Sequence, residues 1–159
     1  MRTFALLLPS LLLAACGGSD SSNPPVIHVK DGDKEMNAAM EQSRATLDKF
    51  VAALQSPGPK QTDFSLKARF EEGSKVEHMW VNSLSVKGEG FAGKIGNEPE
   101  GLRKVKLGMP VTIPKERVSD WMFVEDGRLV GGYTLRLLRK RMSPSERKDF
   151  DKSVPFKID

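Results

Sequence analysis

The longest regular signal in the chain lies in residues 33–56, where Met36, Met40, Leu47, Phe50, Val51 and Leu54 recur at helical spacing, with Ala39 and Ser43 on or beside the stripe. Asp33 supplies a capping carboxylate and Pro57-Gly58-Pro59 forbids continuation, so the pattern predicts one amphipathic helix of about five to six turns. Its methionines read as core filler rather than a ligand groove, because thioethers fit irregular gaps. Beyond residue 60 the period falls to two. Phe64, Leu66, Ala68 and Phe70 alternate with polar partners, Glu72-Gly73-Ser74-Lys75 turns the chain, and residues 76–86 return. In that second strand Val76, His78, Trp80, Asn82, Leu84 and Val86 are predicted to share one face, with Met79 and Val81 on the other, as suits a strand near the middle of a sheet.

Lys87-Gly88-Glu89-Gly90 leads into a third strand over residues 91–95, and Pro110 and Pro114 confine the next apolar run to an edge or a barrel corner. Residues 118–124 and 129–134, joined by Glu125-Asp126-Gly127-Arg128, predict a hairpin turned at Gly127. Helical spacing resumes at Leu135, Leu138 and Met142, and Ser143-Pro144-Ser145-Glu146 reads as a new helix start with a capping box. Val154, Phe156 and Ile158 alternate as a last short strand. The predicted class is α+β: an N-terminal amphipathic helix on a curved antiparallel sheet or small open barrel of five to six strands, followed by a C-terminal helical segment.

Ahead of this domain, residues 4–13 form an apolar run behind Arg2 that is too short to cross a bilayer of about 30 Å and reads as the core of a secretory signal. Leu13-Ala14-Ala15-Cys16 resembles the lipobox of bacterial lipoproteins. The resemblance implies a diacylglyceryl thioether on Cys16, cleavage before it and acylation of the new amine, which together exceed the marginal hold of a single chain. The other reading is a free or disulfide-seeking thiol beside an ordinary signal peptide. The expected division is a signal peptide over 1–15, lipidated Cys16 with a flexible tether over 16–33, and one domain over 34–159. Within the tether, Val26-Ile27-His28-Val29 reads either as an edge strand or as linker. Gly17 follows the cysteine where inner-membrane retention usually wants Asp, so by resemblance to enterobacterial sorting the outer membrane, facing the periplasm, is expected. Cys16 is the single cysteine, so the domain itself has neither a disulfide nor a thiolate metal site.

The formal charge of +4 is too mild to suggest a nucleic-acid partner. It is unevenly placed, with Arg136, Arg139, Lys140, Arg141, Arg147 and Lys148 against Glu146 alone. Such a run is a solvated helical face, or else a contact for anionic headgroups or an acidic partner. Two histidines with no H-E-x-x-H, no acidic calcium loop and no phosphate-binding glycine loop leave no expected metal or cofactor. What remains is a polar and aromatic set: His78, Trp80 and Asn82 on one strand face, Asn97 and Glu98 in a turn, Asp120 beside Trp121, and Tyr133 behind Gly131-Gly132. These residues read as half-buried structure, as a binding face, or as a hydrolytic site in which Asp120 or Glu98 orients His78 as general base. Two glycines in a strand cost ~0.5–1 kcal/mol each relative to Ala, so Trp121 or Trp80 is expected to pack over them.

Read together, the segments VEHMWVN, NEPE, VSDWMFVEDGRLVGGYTLRLL and SPSERKDFD, in that order behind a helix and a lipobox, resemble the YegJ-like family of bacterial proteins of unknown function. The resemblance covers residues 33–152. It implies a bacterial source and a compact helix-plus-sheet domain, and it brings no activity, cofactor or catalytic residue with it. The expected function is a non-catalytic interaction module held at the outer membrane by its lipid, meeting an envelope protein or small ligand. The alternatives are a small envelope hydrolase using His78 with an acidic partner, and a protective inhibitor of a toxin or lytic enzyme.

Overall fold

In the computed structural model, which describes residues 32–159, the predicted N-terminal helix is two helices, α1 (Lys34–Ala45) and α2 (Leu47–Gln55). The break at Thr46 has a local and a distant cause. The Thr46 hydroxyl lies within hydrogen-bonding distance of the Gln42 and Ser43 carbonyls at 2.9 and 3.2 Å, while the Trp121 indole N–H donates to the same Ser43 carbonyl at 2.9 Å. Side-chain donors thus occupy the carbonyls that a continuing helix would use. The start is as expected, with the Asp33 carboxylate accepting the Met36 amide. The expected signal peptide, Cys16 and the Val26–Val29 patch lie outside the described residues.

Six antiparallel strands follow in the spatial order β4-β3-β2-β1-β5-β6. They are β1 (Gln61–Glu72), β2 (Lys75–Lys87), β3 (Gly90–Ile95), β4 (Pro110–Pro114), β5 (Val118–Glu125) and β6 (Arg128–Gly131). The proline-flanked β4 is an edge strand, and the β5–β6 hairpin turns on Asp126 and Gly127, both at positive φ. Positive φ at both central residues gives the turn whose twist matches antiparallel strands. The sheet is open and both its faces are covered. On one, Leu47 and Phe50 of α2 pack on Leu66, Met79, Val81, Phe91, Trp121 and Phe123. On the other, Leu135 of α3 (Tyr133–Arg141) and Phe150 of α4 (Pro144–Ser153) pack on Trp80, Met122 and Val124. The second helix start is as read from the sequence, with Ser143 and Glu146 forming a reciprocal capping box.

Three further expectations need correction. The strand predicted over 129–134 stops at Gly131, because Gly132 turns left-handed and Tyr133 opens a helix. The final strand reduces to a single parallel bridge between Lys157 and Arg128. In β2, Leu84 and Val86 pack with Met79 and Val81 and not on the Trp80 face, because a bulge at Ser83, with φ 52°, reverses the alternation.

The glycine pair does carry the close approach that was expected. A methyl group on Gly131 would lie 2.5 Å from the Trp121 ring and closer still to the Trp121 carbonyl, while Gly132 donates its amide to that carbonyl at 2.8 Å. Trp121 is therefore the packing tryptophan, and Trp80 lies on the opposite face.

Candidate functional site

Two arrangements involve Trp80: a buried charge relay on its face of the sheet and an open cleft lined from both faces. The relay starts at the centre of the sheet, where Lys67 of β1 is cross-strand to Trp80 on one side and Asp120 on the other. Both ionisable residues are buried, at 6% and 0% exposure. The Asp120 carboxylate accepts four donors: the amides of Trp121, Tyr133 and Thr134 at 2.9, 3.1 and 2.8 Å, and the Thr134 hydroxyl at 2.6 Å. Burial pushes its carboxyl above the usual range, and these donors with Lys67 oppose that shift. Two donors on each oxygen leave no lone pair for a proton, so the charged form is the one this geometry holds. The Lys67 ammonium reaches the Thr134 hydroxyl at 3.4 Å and lies 4.8 Å from the centre of the Trp80 ring. Burial pushes its amine below the lysine range, and Asp120 supports the charge. Asp120 is thus the outside cap that starts α3, while Thr134 links the two charges.

His78 borders this relay without joining it. Its Nδ1 is buried with no hydrogen-bond partner among the described residues, and it shares a space of about 10 Å³, the size of one water, with Met36, Met40, Lys67, Ser119, Thr134 and Leu138. Burial first, then the cations Lys67, Arg69 and Arg44, push its imidazole down to about 4. The charges facing it are positive, whereas general-base work needs an orienting carboxylate and room for a substrate. A neutral His78 in the fold, titrating near 6.5 when unfolded, contributes stability that is complete above pH 6.5 and lost as pH falls toward 4. The wild-type chain is expected to lose about 1–2 kcal/mol over that window, allowing for partial solvent contact. Urea midpoints at pH 7 and pH 4.5 test this, since His78→Gln should remove most of the difference.

The cleft arises where the sheet divides. The β1–β2 ladder runs from Glu72↔Lys75 to Leu66↔Val81 and stops, after which the start of β1 pairs with β5 alone and the end of β2 with β3 alone. Asp63 in β1 and Ser83 in β2, with φ 54° and 52°, are the paired bulges that part the strands. The Ser65 hydroxyl donates to Asn82 Oδ1 at 2.9 Å across the point of separation. The resulting cleft, of about 420 Å³, is lined by Leu54, Phe64, Leu84, Trp80, Met122 and Phe156, with Asp63, Ser65, Asn82, Ser83 and Pro155. A volume in this range, mainly apolar with a few polar groups, is typical of a ligand pocket.

The predicted polar-aromatic set is therefore distributed. Trp80 and Asn82 meet in the cleft, while Asp120 belongs to the relay that His78 borders. Trp121 and Tyr133 stack edge to face in the α2-side core, where the Tyr133 oxygen accepts the Thr46 hydroxyl at 2.9 Å. Asn97 is buried and its Oδ1 takes the Trp80 amide at 2.8 Å, while Glu98 is exposed. Sequence reasoning missed Asp63 and Ser83, whose left-handed bulges have no glycine to announce them, the nearby Ser65, and Lys67, which looked like the polar partner of an alternating strand.

The family model described as "Uncharacterized protein conserved in bacteria (DUF2314)" matches residues 33–158, nearly the whole described domain. The chain belongs to the DUF2314 family. The uncharacterized protein YegJ of Escherichia coli is 30% identical over 136 residues, covering 85% of this chain and 86% of that one. A putative ankyrin repeat protein of Neisseria meningitidis is 33% identical over 134 residues, covering 79% of this chain. This DUF2314 chain matches 53% of the Neisseria protein, about half its length. No solved structure matches.

Within this DUF2314 domain much of the basic run is bound internally. Arg136 donates to the Gly131, Leu129 and Asp159 carbonyls, and Arg139 forms a paired contact with Asp151 at 2.6 and 2.7 Å. Arg141 spans Asp33 and Glu35 at the start of α1, holding the Asp33 carboxyl well below the usual range, and Arg147 reaches the Lys140 and Met142 carbonyls. Among the described residues no helix is long and apolar enough to cross a membrane.

Proposed function

We propose that this DUF2314 chain is a lipid-anchored, non-catalytic binding module of the bacterial envelope, held at the outer membrane through Cys16 and receiving an envelope partner in the cleft between β1 and β2. The cleft carries the reading: paired bulges hold a 420 Å³ space open in the interior of an otherwise continuous sheet. Bulges re-aim strands at functional positions, and left-handed non-glycine residues persist only where the surroundings hold them. The lipobox-like Leu13-Ala14-Ala15-Cys16 supports the anchor. The cationic surroundings of His78 and its water-sized space favour binding over hydrolysis.

The test has two arms in the native envelope. Cys16→Ala should move the protein from the membrane to the soluble fraction. A photoreactive residue at Leu84 or Asp63, lining the cleft, should yield a discrete adduct that the same probe at exposed Glu41 of α1 does not. Equal adducts at Glu41, or none from the cleft, overturn the binding site, and membrane retention of Cys16→Ala overturns the anchor.

A further inference from the structure

We infer that the cleft takes an extended peptide segment of about four residues carrying a basic side chain, received as an inserted strand between β1 and β2. The inference rests on the cleft being a binding site and adds what it binds. Beyond Leu66↔Val81 residues 62–65 of β1 and 82–85 of β2 have no main-chain pairing with one another, each strand's ladder lying on its far side and the Ser65 hydroxyl meeting the Asn82 side chain where they part. Unpaired strand edges are templates for another extended chain, whose main-chain groups supply affinity while pockets for alternate side chains supply selectivity. Four positions at about 3.3 Å per residue set the length of the insert.

Its side chains would meet apolar walls on both faces of the sheet. Leu54, Phe64 and Leu84 belong to the α2 side, and Trp80, Met122 and Phe156 to the α3–α4 side. Trp80 adds a second observation pointing to a ligand: it is 1% exposed and its indole N–H has no acceptor among the described residues. An unmet buried donor calls for an explanation, and the carbonyl of an inserted strand is the group that would meet it. Charge sets the remaining preference. Among the described residues no Lys or Arg lines the cleft, and Asp63 is its one ionisable residue. A basic side chain is complementary to that carboxylate, and an acidic one is repelled.

The experiment uses the full chain, isotopically labelled in detergent micelles, with five probes: acetyl-KVTV-amide, its acidic counterpart acetyl-EVTV-amide, the neutral acetyl-TVTV-amide, an N-methylated acetyl-KVTV-amide that cannot donate along its backbone, and n-butylamine. Acetyl-KVTV-amide should shift the amides of Ser65, Asn82 and Ser83 and slow hydrogen exchange across 62–65 and 82–85. The acidic and N-methylated peptides should bind at least fivefold more weakly. Asp63→Asn, which tolerates the left-handed backbone, should weaken the basic peptide two- to fivefold and leave a neutral acetyl-TVTV-amide unchanged. If butylamine equals the basic peptide, the strand reading falls and an amine site replaces it. If the peptides move neither row while photo-adducts persist at Leu84, the peptide inference alone is overturned. If both are lost, the cleft reading goes with it.

Discussion

Replacing Asp120 with alanine is expected to lower the unfolding free energy by about 3–5 kcal/mol, because it leaves Lys67 charged and uncompensated in the interior. The amides of Tyr133 and Thr134 also lose their acceptor, so the first turn of α3 loses its cap as the relay loses its anion. Lys67→Met should cost far less, since Asp120 keeps its four donors and a helix N-terminus when the ammonium is removed. Combined in one chain, Asp120→Ala and Lys67→Met should recover part of the loss, as removing both charges removes the unpaired one. Denaturant midpoints at constant slope measure the series. A double-variant loss equal to the sum of the two single losses would show that the two act independently.

Gly131→Ala is expected to cost about 2–5 kcal/mol, from two sources that can be separated. Its φ of 73° is left-handed, which strains any side chain by about 1–2 kcal/mol, and the new methyl would press on the Trp121 carbonyl and ring. Gly127 has the same φ of 73° with nothing near its absent side chain, so Gly127→Ala carries the backbone strain alone. The difference between the two variants measures the overpacking. It should also appear as a change in Trp121 fluorescence in Gly131→Ala and not in Gly127→Ala.

The elements legible in the sequence were those whose cause is local. The Ser143 to Glu146 capping box, the Asp126-Gly127 turn and the prolines that put β4 at an edge each act within a few residues. The features that escaped depend on distant partners. The helix stripe over 33–56 is continuous, and the distant cause of its break, the Trp121 indole bonded to Ser43 with Tyr133 bonded to Thr46, leaves no mark in it. Tyr133-Thr134 extends an apolar run that looks like strand, and becomes helix because Asp120, across the sheet, takes both amides. Of the candidate site, Trp80 and Asn82 were legible as a polar-aromatic strand face. The cleft that gathers them was not, because it depends on Asp63 and Ser83 adopting conformations unusual for their residue types.

The Arg141 clamp has a mechanical side. Tension applied at the N-terminal end of the domain would enter at Asp33 and Glu35, which Arg141 ties to the last turn of α3. From there the load runs down α3 to Asp120 in β5, a strand bonded on both flanks by β1 and β6. Force so delivered meets a strand held by two ladders, whereas a pull on an edge strand meets only one. The split between β1 and β2 lies off that path, so the domain could be tugged from its N-terminus without prying its cleft apart.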